Sequence, residues 1–389
     1  MSQQIDQSKK SFTAFDQAST LIAVVELSSR SWLVAGVVPA IQRHPLKKIE
    51  ADETRLLALL RHWQELAVKA AAEIKRIVVA FEAGRDGFWL ARWLQAHGIE
   101  TYVIHPTSVA VSREHRRAKT DRLDTEHLKR VVLGWLRGEP DHCRMVAIPT
   151  VEEEDAKRPS REREALVREC TRIVNSMKAC LARFGVRGFK PTLRKAEARL
   201  QALLTPEGER LPPLTLAEML RSIARLRSLR EQIRAIEQAR IVRLKEAPAT
   251  RTNLMVTLIA GVTGIGIETA DTLVQEVLAR NLRDRKALAR YAGLTGSPDE
   301  SGNRRREKGL ARAGNARVRR IMIQLAWRFL RFHPHSGLTT WFKARTADSG
   351  RSTRKTMIVA LARKLLIVLW RMVTIGEIPA ALTLRHAAA

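Results

Sequence analysis

A chain of 389 residues, 45% of them hydrophobic, is long enough for two or three domains with cores of their own. Its 69 lysines and arginines against 40 acids leave a formal net charge of +29. That excess describes partners rather than fold, and a polyanion is the simplest partner because each neutralised phosphate releases counterions. No membrane partner is expected: no uninterrupted apolar segment reaches the roughly 20 residues of a span, and the nearest, Thr356 to Ile375, carries Arg363, Lys364 and Arg371 and reads as a packed helix. Cys143, Cys170 and Cys180 lack zinc-ligand spacing, and so sparse and odd a count suits a reducing cytoplasm.

Met1 to Ser19 is polar, with Lys9 and Lys10 but no apolar core of a signal peptide, and reads as a disordered tail. Two runs rich in β-branched residues follow, Leu21 to Glu26 and Ser31 to Pro39, and the four residues between them suit a hairpin. A poorer third strand falls near Pro45 to Glu50. Asp52 to Ala72 spaces Leu56, Leu57, Leu60, Trp63 and Leu66 as a helix does. Arg76 to Phe81 is a buried strand ending at Glu82. Phe88 to His97 is helical with Gly98 as its stop, and Thr101 to His105 is a further strand. Hairpin strands followed by alternating helix and strand predict an α/β domain over residues 20–150, a mixed sheet with helices packed on it.

Four acids stand out in this half. Glu26 and Glu82 each close an apolar run, and open α/β sheets present their binding crevice at the carboxyl ends of strands. Adjacent strands lie about 4.8 Å apart, close enough for two such acids to share a cation. Downstream, Ala118-Lys119-Thr120-Asp121-Arg122-Leu123-Asp124 sets two carboxylates three apart in a basic run. With the segment to Leu136 helical they share a face, where they either bind a cation or form a solvated surface paired with Arg117, Arg122 or Lys129. Four acids gathered against so basic a background are costly to hold together without a metal ion. Arg113, Arg116, Arg117 and Lys119 are candidates for holding nucleic-acid backbone nearby.

Between Thr150 and Ser160 four consecutive acids give way to Lys157, Arg158 and Pro159, the pattern of a linker or domain boundary. Residues 151–247 then read as a helical segment. Arg161 to Phe184 is one long helix, and Gly185 to Pro213 is irregular. From Met219 to Leu244 apolar residues recur mostly at spacings of three and four, as in a coiled coil or an antiparallel helix pair whose partner lies in this chain or in a second subunit. Beyond Pro248 an all-α C-terminal domain is expected over 248–389. Gly264 and Gly266 make a Gly-x-Gly turn between apolar helices, either a helix-hairpin-helix that aims backbone N–H groups at a phosphate or an ordinary tight turn. The breakers and the serine-glycine pair within Tyr291 to Asn303 predict a loop, followed by Arg304, Arg305, Arg306 and Lys308. Helices resume at Arg317 and over Thr356 to Met372.

These motifs together resemble the DEDD transposases of the IS-one-ten insertion-sequence family, RNA-guided DNA recombinases with a RuvC-like, RNase H-related N-terminal domain. The resemblance runs from about Leu21 to Pro379. It rests on Val25-Glu26-Leu27-Ser28 at the end of the first strand, Phe81-Glu82-Ala83-Gly84 in a turn, and Lys119-Thr120-Asp121-Arg122-Leu123-Asp124. In the distal half it rests on the Gly-x-Gly turn, Tyr291-Ala292-Gly293-Leu294-Thr295, and Ser301-Gly302 before the basic run. Two departures matter. The family's first acid is usually aspartate where this chain has Glu26, one methylene longer, and Mg²⁺ demands near-ideal octahedral geometry at about 2.0–2.1 Å. Asn303 stands where glycine is commoner.

The resemblance implies a transposase that cuts and rejoins donor and target DNA by metal-assisted transesterification. Glu26, Glu82, Asp121 and Asp124 would hold Mg²⁺ or Mn²⁺. Ser301, with Ser297 as its internal rival, would attack the phosphate and form a covalent phosphoserine link that conserves bond energy for rejoining. A guide RNA would select the site, in a homodimer or tetramer. The aromatic fraction of 5% argues against base stacking as the main recognition mode and fits reading of backbone and shape. A water-using, metal-dependent nuclease of the junction-resolvase kind is the second reading. A decayed transposase that binds nucleic acid without cutting it is the third.

Overall fold

The computed structural model describes residues 15–84, 87–109, 121–139, 142–301, 304–310, 313–347 and 350–385. The chain divides between Val151 and Glu152 into two compact units.

The first unit is built on a six-stranded sheet. β1 (Thr20–Leu27), β2 (Ser31–Val37) and β3 (Leu46–Glu50) form an antiparallel meander. β4 (Arg76–Glu82) adds parallel to β1, and β5 (Glu100–Ile104) parallel to β4. The two-residue β6 (Met145–Val146) closes the far edge, antiparallel to β5, for an order β3-β2-β1-β4-β5-β6. Three helices cover the sheet: α1 (Glu53–Lys69), α2 (Trp89–Ala96) and α3 (Asp121–Leu136). α1 opens where Asp52 accepts from the Arg55 N–H at 2.8 Å, a side-chain cap for an otherwise orphaned donor. Strand alternation sorts the helices between the faces. Leu21, Ala23, Val25, Val79 and Phe81 pack with α1 and α2 through Leu56, Leu60, Trp63, Leu90 and Leu94. Ile22, Val24, Val78 and Ala80 pack with Leu128, Val131, Val132 and Leu136 of α3. A mixed sheet in this order, helix-covered on both faces, is the expected RNase H-like domain. The central β1 and β4 are apolar, whereas exposed Lys47 and Lys48 sit on edge strand β3, where charge discourages further strand pairing.

The second unit is helical. The acidic-to-basic stretch forms α4 (Val151–Asp155) and the start of α5 (Arg158–Ala182); Pro159 lies in the first turn of α5, where a missing N–H costs nothing. After the short α6 (Ala196–Gln201), α7 (Pro213–Glu246) runs for 34 residues. Its apolar stripe has a partner in this chain: Met219, Ile223 and Leu226 pack with Ile173, Met177 and Leu181 of α5. Arg163, early in α5, meets Glu237, late in α7, at 2.7 Å, so the two helices are antiparallel. The remaining helices are α8 (Arg251–Ala260), α9 (Ile267–Leu273, continued by a π turn to Leu278), α10 (Arg285–Tyr291), α11 (Ala316–Phe332), α12 (Gly337–Thr346) and α13 (Arg351–Ile375). They share one core, in which Val318, Met322, Leu325 and Phe329 of α11 cluster with Leu361, Leu365 and Leu369 of α13. Between α10 and α11 the predicted loop is instead an antiparallel hairpin, β7 (Gly296–Ser301) and β8 (Arg304–Leu310). Its strands are almost wholly polar, so the sequence lacks the apolar alternation that marks a strand. Among the described residues no helix is long and apolar enough to cross a membrane.

A layer of buried charge ties α5 and α7 to the C-terminal helices. Asp271 is fully buried and accepts from Arg240 at 2.8 Å, Arg243 at 2.5 Å and Ser160 at 3.2 Å. Arg240 also pairs with Glu268. Glu276, nearly as buried, accepts from Arg161 at 3.0 Å, Arg317 at 2.9 Å and Asn315 at 3.0 Å, and Arg317 and Arg320 share Glu164. Burial pushes the Glu276 carboxyl up, but hydrogen bonds and charge from Arg161, with Asn315 and Arg317, outweigh it and hold the group below its ordinary 4.5. A carboxyl with a depressed folded-state pKa stabilises the fold above its unfolded pKa, and that stability is lost as pH falls through the folded value. Glu276→Gln is therefore expected to be less stable than the parent at neutral pH. The gap should close on acidification below about pH 4.5 as the parent carboxyl protonates, read as thermal midpoints across a pH series.

Candidate active site

Sheet register carries the first two acids together. Val25 is paired with Phe81 in the parallel β1–β4 ladder, so the next residues, Glu26 and Glu82, stand side by side at the carboxyl end of the sheet. Both follow the parity of Ile22, Val24, Val78 and Ala80 and so belong to the face that α3 covers. Both are half-buried. β1 continues past Glu26 to Leu27, because Glu26 and Leu27 still pair with Leu33 and Trp32 of β2.

α3 brings the aspartates toward the same edge. Arg137, just beyond its C-terminus, donates to Gln17, just before β1, at 3.1 Å. The helix thus runs back along the strand. Its 16 residues span roughly 24 Å, about the length of the eight residues of β1, which sets its first turn toward Glu26 and Glu82. Asp124 precedes buried Leu128 by four residues, and Asp121 precedes Asp124 by three, so both positions fall on the sheet-facing side. Asp124 is half-buried; the side chain of Asp121 lies outside the described residues. Lys129, a candidate surface partner for the aspartates, is buried and pairs with Glu126 at 2.6 Å. Among the described residues no three carboxylate, imidazole or thiol groups converge as a metal cage. The donor chemistry of the four acids is all oxygen, the set that hard cations such as Mg²⁺ and Mn²⁺ take. Arg113, Arg116, Arg117 and Lys119 lie outside the described residues.

Ser301 ends β7 and pairs with Arg304 at the tip of the hairpin, whereas Ser297 falls near its base. Gly302 and Asn303, and the side chains of Ser297, Ser301, Arg304, Arg305, Arg306 and Lys308, lie outside the described residues. The hairpin springs from a narrow neck. Gly293 and Gly314 have φ of +65° and +87°, and a Cβ on Gly314 would stand 2.6 Å from both the Arg290 carbonyl oxygen and the Gly293 nitrogen. Only glycine combines that φ with so close an approach. The Asn315 N–H donates to the Tyr291 carbonyl at 2.6 Å across the same neck. Close backbone contact, with the Arg319 guanidinium donating to the Ala313 carbonyl at 3.1 Å, fixes where the serine-bearing hairpin leaves the helical core.

The Gly-x-Gly turn is fastened by distant segments. Gly264 takes φ +86° against the Phe332 ring, and Gly266 is the extended residue that opens α9. The Thr263 N–H donates to the Thr383 carbonyl at 2.9 Å, and its carbonyl accepts from His333 Nε2 at 2.9 Å. Arg385 donates to the Gly261 and Ile265 carbonyls.

Known proteins resemble the chain along most of its length. The family described as Transposase, of DEDD IS110 type, matches residues 34–185, and the Transposase IS116/IS110/IS902 family matches residues 256–340. The Sinorhizobium fredii protein y4rJ, which carries the name transposase, is 41% identical over 368 residues, 91% of this chain and 92% of its own. The transposase for insertion sequence element IS1328 of Yersinia enterocolitica is 25% identical over 77% of this chain and 85% of its own. That for IS1111A of Coxiella burnetii is 25% identical over 80% and 81%. The chain belongs to the IS110 family of DEDD transposases.

Proposed function

We propose that this transposase cuts and rejoins DNA by transesterification, with Ser301 as nucleophile and with Glu26, Glu82, Asp121 and Asp124 holding a divalent cation. The observation that supports it most is the register that sets Glu26 beside Glu82 on the face covered by α3. Bound Mg²⁺ or Mn²⁺ would supply Lewis-acid stabilisation of the charge that develops on the phosphate. Ser301 Oγ forms a bond to phosphorus while the bond to the departing strand's oxygen breaks, and the proton that the serine gives up neutralises that oxygen. The reverse exchange rejoins strands without loss of the phosphodiester's bond energy. Arg304, Arg305, Arg306 and Lys308, flanking the serine step, hold DNA backbone, with Arg113, Arg116, Arg117, Lys119 and the turn at Gly264 and Gly266 as further backbone contacts. A guide RNA that base-pairs with DNA, and a homodimer or tetramer in the cytoplasm, complete the reading. The scarcity of aromatic residues supports it, since base pairing relieves the protein of reading bases itself.

Trapping on a DNA substrate with Mg²⁺, followed by mass mapping, tests the nucleophile. The parent is expected to yield a DNA-linked peptide containing Ser301, and Ser301→Ala none, with DNA binding retained. Undiminished strand cleavage by Ser301→Ala would overturn this mechanism in favour of a water-using nuclease.

A further inference from the structure

We propose that the groove between α7 and the segment Pro191–Arg194 binds an unpaired nucleic-acid strand. The groove encloses about 710 Å³, the size of a ligand cleft. Exposed Leu193 and half-buried Ile233, over the buried Ile223 and Leu226, give it an apolar floor, and Arg194, Arg227, Arg230 and Arg234 a cationic rim. The last three recur at spacings of three and four and so share one face of α7. Two are already oriented: Arg227 pairs with Glu197 at 2.7 Å, and Arg230 donates to the Thr192 carbonyl at 2.6 Å. A guanidinium carries five N–H donors in a rigid fork, so one such bond aims the group and leaves donors for a phosphate. Of the two acids on the rim, Glu237 is engaged by Arg163; with Arg227 balanced by Glu197, Glu231 stands against three arginines.

The occupant follows from shape and charge. A duplex presents its phosphates on a broad convex surface with its base faces hidden, and hidden base faces cannot meet an apolar floor. An unpaired strand matches both: its phosphates meet the rim, its sugar and base faces meet the floor, and guanidinium planes stack on bases where aromatic side chains are absent.

Fluorescence anisotropy of the full chain, with a short single-stranded oligonucleotide and the corresponding duplex over a salt series, provides the test. Each lost phosphate contact to a single strand lowers the slope of log affinity against log salt by about 0.7. Arg194→Gln, Arg230→Gln and Arg234→Gln combined are therefore expected to flatten the single-strand slope by about two and to leave duplex binding unchanged. The proposal is overturned by an unchanged single-strand slope, or by equal losses for single strand and duplex, which would mark a general basic surface. Arg234→Glu alone, at an exposed side chain, repeats the comparison should the triple variant have a lowered thermal midpoint.

Discussion

Asp271→Ala is expected to destabilise the helical unit by about 3–5 kcal/mol, the usual cost of removing one partner from a buried ion pair. Asp271 is fully buried and Arg240 is 2% exposed, so the substitution strands a guanidinium that cannot reach water. Glu268 alone would then balance it. Arg243, the other partner, is better placed because its side chain is 36% exposed, yet its Nε is already buried without an acceptor, so the site has little spare hydrogen-bonding capacity. For a unit of this size, about 2–4 °C per kcal/mol translates the loss into a thermal midpoint lower by roughly 6–20 °C. Replacing both members by apolar residues, Asp271→Leu with Arg240→Met, is expected to cost less than Asp271→Ala alone: the buried guanidinium is removed with its partner, Glu268 keeps Arg163, and the charge that loses its acceptor, Arg243, is 36% exposed. A double variant as unstable as the single one would mean that lost packing, not stranded charge, sets the effect.

That charged layer is also where the sequence is least informative. Glu268 and Asp271 sit on an amphipathic helical stretch where acids read as ordinary surface, and their partners Ser160 and Arg240 lie 111 and 31 residues from Asp271. Burial of an acid leaves no periodic mark. The sheet, by contrast, is legible because β1 and β4 are short apolar runs of β-branched residues, and α1 because Leu56, Leu60 and Trp63 keep a helical interval beneath a capping aspartate. β6 is too short for alternation, and β7 and β8 are too polar. The apolar stripe of α7 is plain in the sequence, but whether α5 or another subunit covers it is a matter of chain path, which no local pattern encodes. Glu26 and Glu82 are legible as strand-end acids; their adjacency is not, since it depends on β4 pairing with β1 rather than on either strand's composition.

That adjacency makes Glu82→Gln the sharpest test of the metal reading. Two half-buried carboxylates side by side offer oxygen ligands to one hard cation, so a neutral isostere at one position removes a charged ligand. Lewis-acid stabilisation by a bound metal amounts to several kcal/mol, and each 1.36 kcal/mol is tenfold in rate, so strand cleavage is expected to fall by about a thousandfold or more. The variant should fold, because the amide keeps the shape of the carboxylate and β4 keeps its pairing with β1 and β5. A readout independent of turnover is Mg²⁺-induced stabilisation: a metal bound only by the native state raises the melting point in proportion to the logarithm of its concentration over Kd. The parent should show that shift and Glu82→Gln should not. Glu26→Asp shortens the neighbouring ligand by one methylene and is expected to change the ratio of Mg²⁺- to Mn²⁺-supported cleavage, since Mg²⁺ is the stricter ion in bond length and angle. If Glu82→Gln keeps both the Mg²⁺ shift and the cleavage rate, the paired acids only terminate strands and the metal site lies elsewhere.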